Sequence, residues 1–466
     1  MTISKAIIMV GGDTRGTRFR PLSLDVPKIL FPIAGKPLLS HIIDSVLEVK
    51  SIDEIILIGF YETSVFADYI ANFNVRMRVS NPGKKAVNIK YLKEFKALGT
   101  AGGLYHFRSE ILKGNPESFF VIHGDIVCSF PFNDIAKFYE AKKNTHKEKI
   151  DAILFGVKIN NYELFAAING PDYGSSGSSF GTIVTDDDQT VVHYVEKPES
   201  KISDIINGGI YLFNETLFRR LSNAKISKIT IANDEANPES IDEDVISMEK
   251  DILHKLPDLG NTFVYEYKGF WKQIKTPSGA LFANELYLDK IFQSGSDDFK
   301  DDNGEPIVLQ KASKTISPPV YIHPSAVIHP DTKIGPYVSI GENVRISEGV
   351  RLSNTIILPN TEIGANSIIL NSIVSSNCKV GNWCRVQGTG INLATINEVI
   401  RKNGGKSIHK LKTMLTNETQ VIGIRDSGNI CILGSGTTIN DDIFVLNSFI
   451  LPNKSIKSDT KYEIVM

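Results

Sequence analysis

The residues of this chain best placed to do chemistry lie in segment 11–28, GGDTRGTRFRPLSLDVPK. Gly11, Gly12 and Gly16 let a backbone close on an anion and turn its amide N–H groups toward it. Arg15, Arg18, Arg20 and Lys28 add fixed positive charge. Arginine grips a phosphate with two parallel hydrogen bonds, and lysine acts as a point charge. Residues 6–10, AIIMV, are apolar without polar alternation, which predicts a central strand of a parallel sheet covered on both faces. A strand running into such a loop is an arrangement for holding phosphate, so a nucleotide is the expected ligand. Taken alone, a Gly/Arg loop also reads as a solvated basic turn.

Segments 52–60, 117–125, 150–159 and 205–213 read as further strands, and 37–49 and 99–112 as helices with apolar residues recurring at three and four. This alternation predicts a doubly wound α/β domain over residues 1–290, with ligands beyond the carboxyl ends of the strands, where the glycine loop falls. Two stretches interrupt it. DYGSSGSSFG (172–181) reads as a polar surface turn, and 222–244 as a polar segment without sustained periodicity.

From residue 321 to 466 the pattern changes. Ile322, Ile328, Ile334, Ile340, Ile346, Leu352 and Leu358 recur every six residues, accompanied by Gly335, Gly341, Gly364 and Gly381. This is the hexapeptide signature of a parallel β-helix, whose coils bury their apolar faces only by stacking. Such stacks mediate assembly, so self-association is expected. Residues 291–320 form the predicted linker. The period breaks after Gln387, and 388–420 reads as an insertion projecting from the solenoid with a short helix at 394–402, either a surface loop or a contact to a partner subunit.

Composition narrows the function classes. With 466 residues, 42% hydrophobic, the chain can fill two or three domain cores. The 51 basic and 53 acidic residues create no global field to recruit nucleic acid or an anionic membrane. Without a leader pattern or an apolar run of about 20 residues, a cytoplasmic protein is expected. The 4 cysteines show no C-x-x-C spacing, and Cys378 and Cys384 read as reduced, stacked core residues.

Segment 11–28 resembles the signature G-G-x-G-T-R-x-R-P-L-T-x-x-x-P-K of the sugar nucleotidyltransferases, which join a nucleoside triphosphate to a sugar 1-phosphate. The resemblance implies a Rossmann-like doubly wound nucleotidyltransferase domain followed by a left-handed parallel β-helix of hexapeptide repeats. It casts Gly11, Gly12, Gly16 and Thr17 as nucleotide-binding, with Arg18 and Lys28 in the catalytic positions. EFKALGTAGGL (94–104) is similar to E-x-x-x-L-G-T-A-G-x-L, which gives Gly99, Thr100 and Gly102 to the nucleotide. HGDIVCSFPF (123–132) resembles the strand-end motif whose aspartate holds Mg²⁺ beside the nucleotide, a role that falls to Asp125. YVEKP (194–198) and IINGGIYLF resemble the sugar-phosphate segments. Glu196 would then accept bonds from sugar hydroxyls, Lys197 pair with the sugar phosphate and Asn207 face the sugar. Read alone, Asp125 caps a turn and EKP is a solvated one.

Two departures stand out. Asp13, Thr14 and Arg15 occupy a place where the signature has one residue, which changes the path of a loop meant to wrap phosphates. In KGFWKQIKTPSG (268–279) the pattern W-x-D-I-G-x-P carries Gln273 where its aspartate, the second metal ligand, belongs. Together with IGFYE, EKDIL and WKQIK, these features resemble the alpha-type subunits of GDP-mannose pyrophosphorylase (mannose-1-phosphate guanylyltransferase). That resemblance implies binding of GDP-mannose or GTP, Mg²⁺ weakened by Gln273, and weak or absent turnover. It also implies a regulatory role, feedback restraint of a catalytic beta-type partner subunit toward which the 388–420 insertion reaches. An active guanylyltransferase and a structural subunit without ligand are the alternatives; the intact VEKP and LGTAGG motifs argue against the latter.

Overall fold

The structure is a computed structural model that describes residues 3–12, 17–80, 87–146, 149–159, 180–232, 242–294, 307–389 and 430–466. Strand β1 (Ile3–Gly12) lies between β2 (Glu54–Phe60), which also carries β3 (Asn88–Lys93), and β4 (Ser118–His123), all parallel. A short strand β5 (Ile126–Cys128) follows β4 outside this sheet. The sheet continues through β6 (Ala152–Lys158), β7 (Thr182–Thr185), β8 (Val191–Val195), β9 (Ile205–Phe213) and β10 (Thr262–Tyr267), in the order β8-β7-β9-β4-β1-β2-β3 with β6 on β9 and β10 on β6. Because β9 runs antiparallel to β4 and to β6, the sheet is mixed.

The run AIIMV explains itself in this setting. Ala6 and Ile8 face one core, Ile7 the other, and all three are fully buried. Helices α1 (Leu38–Leu47) and α2 (Ser64–Ser80) pack on the first face, and α3 (Gly102–His106) and α4 (Arg108–Leu112) on the second. The predicted helix over 99–112 is therefore two helices, broken at Phe107, whose backbone (φ −94, ψ 19) leaves the helical region. Helix α5 (Phe132–Thr145) covers the first face, and α6 (Thr216–Ala232) the second. Helix α6 corrects the reading of 222–244 as irregular. Its buried side is Leu217, Phe218, Leu221 and Ala224, and the polar residues that follow hide the period. Residues 233–241 lie outside the described residues, as do 172–179.

The C-terminal part is a solenoid of parallel strands stacked coil on coil, as in a left-handed β-helix: Val320 pairs with Val338, Val338 with Thr355, Thr355 with Ser372 and Ser372 with Cys431. Ile334, Ile340, Ile346 and Leu352 point into its core as the six-residue period predicts, with Ile322 and Ile328 packed against it. The seventh step does not follow. The next inward residue is Ile357, and Leu358 joins the core of the N-terminal part. From Val338 to Thr355 and from Thr355 to Ser372 the coils advance by 17 residues, because one corner is turned by a single asparagine. Asn354 (φ 48) and Asn371 (φ 47) hold this corner in the left-handed region. They stack as a ladder, Asn354 Nδ2 donating to Asn371 Oδ1 (2.8 Å) and Asn371 Nδ2 to the Gly388 carbonyl (3.0 Å).

All four cysteines are free and buried, and Cys378, Cys384 and Cys431 belong to the solenoid core. Burial pushes the Cys378 and Cys431 thiols up to about 12. Residues 390–429, most of the sequence insertion, lie outside the described residues.

The two parts share a seam. Residues on one outer face of the solenoid, Tyr321, Ile356, Ile373 and Ile432, belong to the same core as Ala6 and Ile8. Helix α7 (Pro277–Ser294), buried along nearly all of residues 277–288, fills the joint. There the Asn284 carboxamide oxygen accepts from the Ala34 amide (2.9 Å) and the Ser339 hydroxyl (2.6 Å). Among the described residues no helix is long and apolar enough to cross a membrane.

Candidate functional site

A cavity of about 570 Å³ opens at the carboxyl ends of β1, β2 and β4, of a size suited to a nucleotide-sized ligand. Gly11, Gly12, Thr17, Arg18, Lys28, Gly99, Thr100, Asp125 and Gln273, nine of the residues singled out in the sequence, line it. Gly11 is at φ +78, a backbone conformation that favours glycine, and a Cβ on Gly12 would meet the Phe60 Cβ at 2.9 Å, so Gly12 serves the close passage of β1 beside β2. Thr17 and Arg18 sit on an exposed turn anchored by the fully buried Phe19. Gly16 and the Asp13-Thr14-Arg15 departure lie outside the described residues.

The predicted metal positions are brought together by a two-stranded ribbon. Strand β11 (Trp271–Gln273) pairs antiparallel with β5, placing Gln273 opposite Ile126, and the Ile274 amide donates to the Asp125 carbonyl (2.7 Å). Trp271, 2% exposed, fixes the ribbon by donating its indole N–H to the Gly208 carbonyl (2.9 Å). Among the described residues the Asp125 carboxylate meets no second acid. Lys28 Nζ lies 2.8 Å from its Oδ2, and the Gln273 amide nitrogen donates to both oxygens at 3.2 and 3.3 Å. Burial works to raise the Asp125 carboxyl. The charges of Lys28 and His123 and the bonds from Lys28 and Gln273 outweigh it and hold the group below its ordinary value.

This donor set does not fit a divalent ion held by two acids. A hard cation needs several oxygen ligands, whereas here one carboxylate is already neutralised by an ammonium and faced by an amide N–H₂. No cluster of three His, Cys, Asp or Glu side chains able to hold a metal occurs among the described residues.

At the other end of the cavity Gly99 (φ +85) packs its backbone against Ile246, where a Cβ would lie 2.5 Å from the carbonyl. The Thr100 hydroxyl donates to Glu249 Oε2 (2.8 Å) and accepts from the Met248 amide (2.7 Å). Ser247 donates to the same Glu249 oxygen at 2.9 Å. Burial would raise the Glu249 carboxyl, but His123 and these bonds keep it low. Gly102 is not part of the cavity wall. It starts α3 against the Asp244 carbonyl, which a Cβ would approach to 2.5 Å, and its role here is packing.

Glu196, Lys197 and Asn207 form a second cluster outside the cavity lining. Asn207 Nδ2 donates to the hydroxyls of Tyr211 (2.8 Å) and Tyr194 (3.2 Å), and Tyr194 donates onward to Glu196 Oε2 (3.0 Å). Burial raises both tyrosines, so they stay protonated as relays. Lys197, at φ 48 and 64% exposed, lies 3.7 Å from Glu196. The clusters adjoin through His123, whose ring lines the cavity and stands 5.7 Å edge-on from Tyr211.

Among the wall residues that the sequence reading left without a role are His123, Glu249 and Lys275. The signal for His123 was its place two residues before Asp125 at the end of β4. The Nε2 atom of His123 is buried with no hydrogen-bond partner among the described residues. Glu249 opens the tract EKDIL, which carried resemblance without a role.

Comparison with known proteins agrees with this geometry. Residues 5–251 match the family model described as Nucleotidyl transferase, and 316–465 the one described as GMPPB C-terminal domain. A probable mannose-1-phosphate guanyltransferase of Schizosaccharomyces pombe is 37% identical, covering 100% of both chains. The mannose-1-phosphate guanylyltransferase regulatory subunit alpha of Dictyostelium discoideum is 35% identical over 100% of this chain and 99% of its own. That of Xenopus tropicalis is 36% identical over 99% of this chain and 100% of its own. With cavity, ribbon and solenoid all in place, the chain belongs to the nucleotidyl transferase family and, within it, to the mannose-1-phosphate guanylyltransferase alpha group.

Proposed function

We propose that this chain is the regulatory, nucleotide-sugar-binding subunit of a mannose-1-phosphate guanylyltransferase. It binds GDP-mannose in the cavity between the glycine loop and Thr100, with Glu196, Lys197 and Asn207 on the sugar side. It assembles with a catalytic beta-type subunit, whose activity it restrains when product is bound, and has little or no turnover of its own. Residues 1–290 serve as the ligand-binding domain and 321–466 as the assembly domain, joined by 291–320. GTP is the competing ligand of the same pocket, and Mg²⁺, which the active nucleotidyltransferases use, is poorly supported here.

The observation that carries this reading is Gln273, whose amide donates to both oxygens of Asp125 in the place of a second carboxylate. Phosphoryl chemistry of this type is positioning plus charge stabilisation. A site that keeps the recognition residues and lacks the paired acids is suited to hold product without forming it. Coupling of such binding to a partner is typically about 1 to 3 kcal/mol.

The test is pyrophosphate release from GTP and mannose 1-phosphate by the purified chain with Mg²⁺, beside calorimetric binding of GDP-mannose. Binding without turnover is expected. Robust turnover would instead identify an enzyme in its own right.

A further inference from the structure

Glu249 stands on the helical turn Met248–Ile252, whose Met248 and Ile252 pack into the same core as Tyr194 and Tyr211. Its side chain lines the cavity. Burial and then the charge of Glu249 raise the Tyr211 hydroxyl, so this acid is a neighbour of the cluster built on Asn207 and the two tyrosines.

The two oxygens of the carboxylate are used differently. Oε2 accepts from both the Thr100 and the Ser247 hydroxyls, which fixes the orientation of the group. Oε1 takes no hydrogen bond from another residue among the described residues, and it is not one of their buried unpartnered atoms, so it opens on the cavity. A nucleoside diphosphate-hexose offers such an oxygen few partners. Its phosphates carry like charge and only acceptors, which leaves the N–H groups of the base and the hydroxyls of the two sugars. The position of Glu249 beside Tyr211, on the side where Glu196 accepts from Tyr194, favours the hexose.

We infer that Glu249 is a specificity-determining residue for the hexose: its Oε1 accepts from a sugar hydroxyl, and the pocket thereby favours a nucleoside diphosphate-hexose over the nucleoside diphosphate alone. The inference rests on the ligand reading above and adds the residue that reads the sugar from the cavity side. A hydroxyl donating to an ionised carboxylate makes a charge-assisted bond, and an acceptor already oriented by two other hydroxyls loses little freedom when the ligand arrives.

Calorimetry of the full chain with GDP-mannose and with GDP tests this. The unmodified chain should bind GDP-mannose about tenfold or more tighter than GDP, the gain expected for one charge-assisted hydrogen bond. In Glu249→Gln the Thr100 and Ser247 hydroxyls retain the amide oxygen and turn its N–H₂ to the cavity, a donor where the sugar hydroxyl needs an acceptor. Binding of GDP-mannose should then weaken about fivefold or more while that of GDP changes less than about twofold, with the melting temperature verifying the fold. An unmodified chain that binds both ligands equally would overturn the inference without recourse to any variant, and would leave the nucleotide pocket standing. A folded Glu249→Gln chain that binds GDP-mannose like wild type would overturn it, as would an equal loss on both ligands, which assigns Glu249 to the nucleotide. Absence of binding by either ligand would overturn the ligand reading, and the inference with it.

Discussion

The two ends of the cavity have been treated differently. At the Thr100 end, hydroxyls of Thr100 and Ser247 converge on one oxygen of Glu249, and the next cluster links Asn207, two tyrosines and Glu196 in a continuous chain of hydrogen bonds. The motifs there match the family pattern. At the Asp125 end an acid has become an amide and a glycine a lysine, and the remaining carboxylate is closed on Lys28. The difference teaches that recognition and chemistry occupy separable parts of one site. The position that holds an amide instead of an acid lies apart from the polar network of Thr100, Ser247 and Glu249, which is intact.

Trp271 is where that separation should fail, since its indole ties the ribbon to Gly208 on β9, next to Asn207. Trp271→Ala should cost about 3–5 kcal/mol, visible as a large drop in denaturation midpoint, and should weaken ligand binding at both ends. Trp271→Phe retains most of the packing and should cost far less; an alanine variant with near-native stability would refute the shared anchor. Thr100→Val acts on the recognition end alone. It leaves the Met248 amide and one Glu249 oxygen each short of a partner, for a loss of about 1–3 kcal/mol in chemical denaturation. Its binding defect should be the same with and without Mg²⁺.

The smallest effect concerns pH. The Asp125 carboxyl is held below its ordinary value chiefly by Lys28 acting against burial. The resulting stabilisation is complete above the ordinary carboxylate value and is lost as pH falls through the lower folded value. Lys28→Met should therefore reduce stability at neutral pH and flatten the acid limb of the stability curve. An acid limb identical to wild type would show that Lys28 does not set the Asp125 titration.

Much of this was legible in the residues themselves. The strand at 205–213 coincides with β9 to the residue, because the apolar residues on both sides of Asn207-Gly208-Gly209 are buried on the two faces of a central strand. The hexapeptide period located the solenoid. It could not show that a coil advances by 17 residues, since that shortening depends on Asn354 and Asn371 turning a corner alone and only stacking reveals it. Gln273 could be flagged as an anomaly, but what it does to Asp125 required the ribbon, whose strands are about 145 residues apart in the chain. Helix α6 escaped because its exposed side is long and its buried stripe narrow.

The seam between sheet and solenoid means that neither half is complete alone. Cut the chain there, and Ile356, Ile373 and Ile432 on one fragment and Leu281 and Leu288 on the other would be turned to water as facing apolar bands. The halves are thus obligate companions, as two subunits of a permanent dimer are, except that here the tether is covalent. Helix α7 begins two residues beyond Lys275, a wall residue of the cavity, and packs against the solenoid, so one continuous segment leads from the pocket wall into the joint.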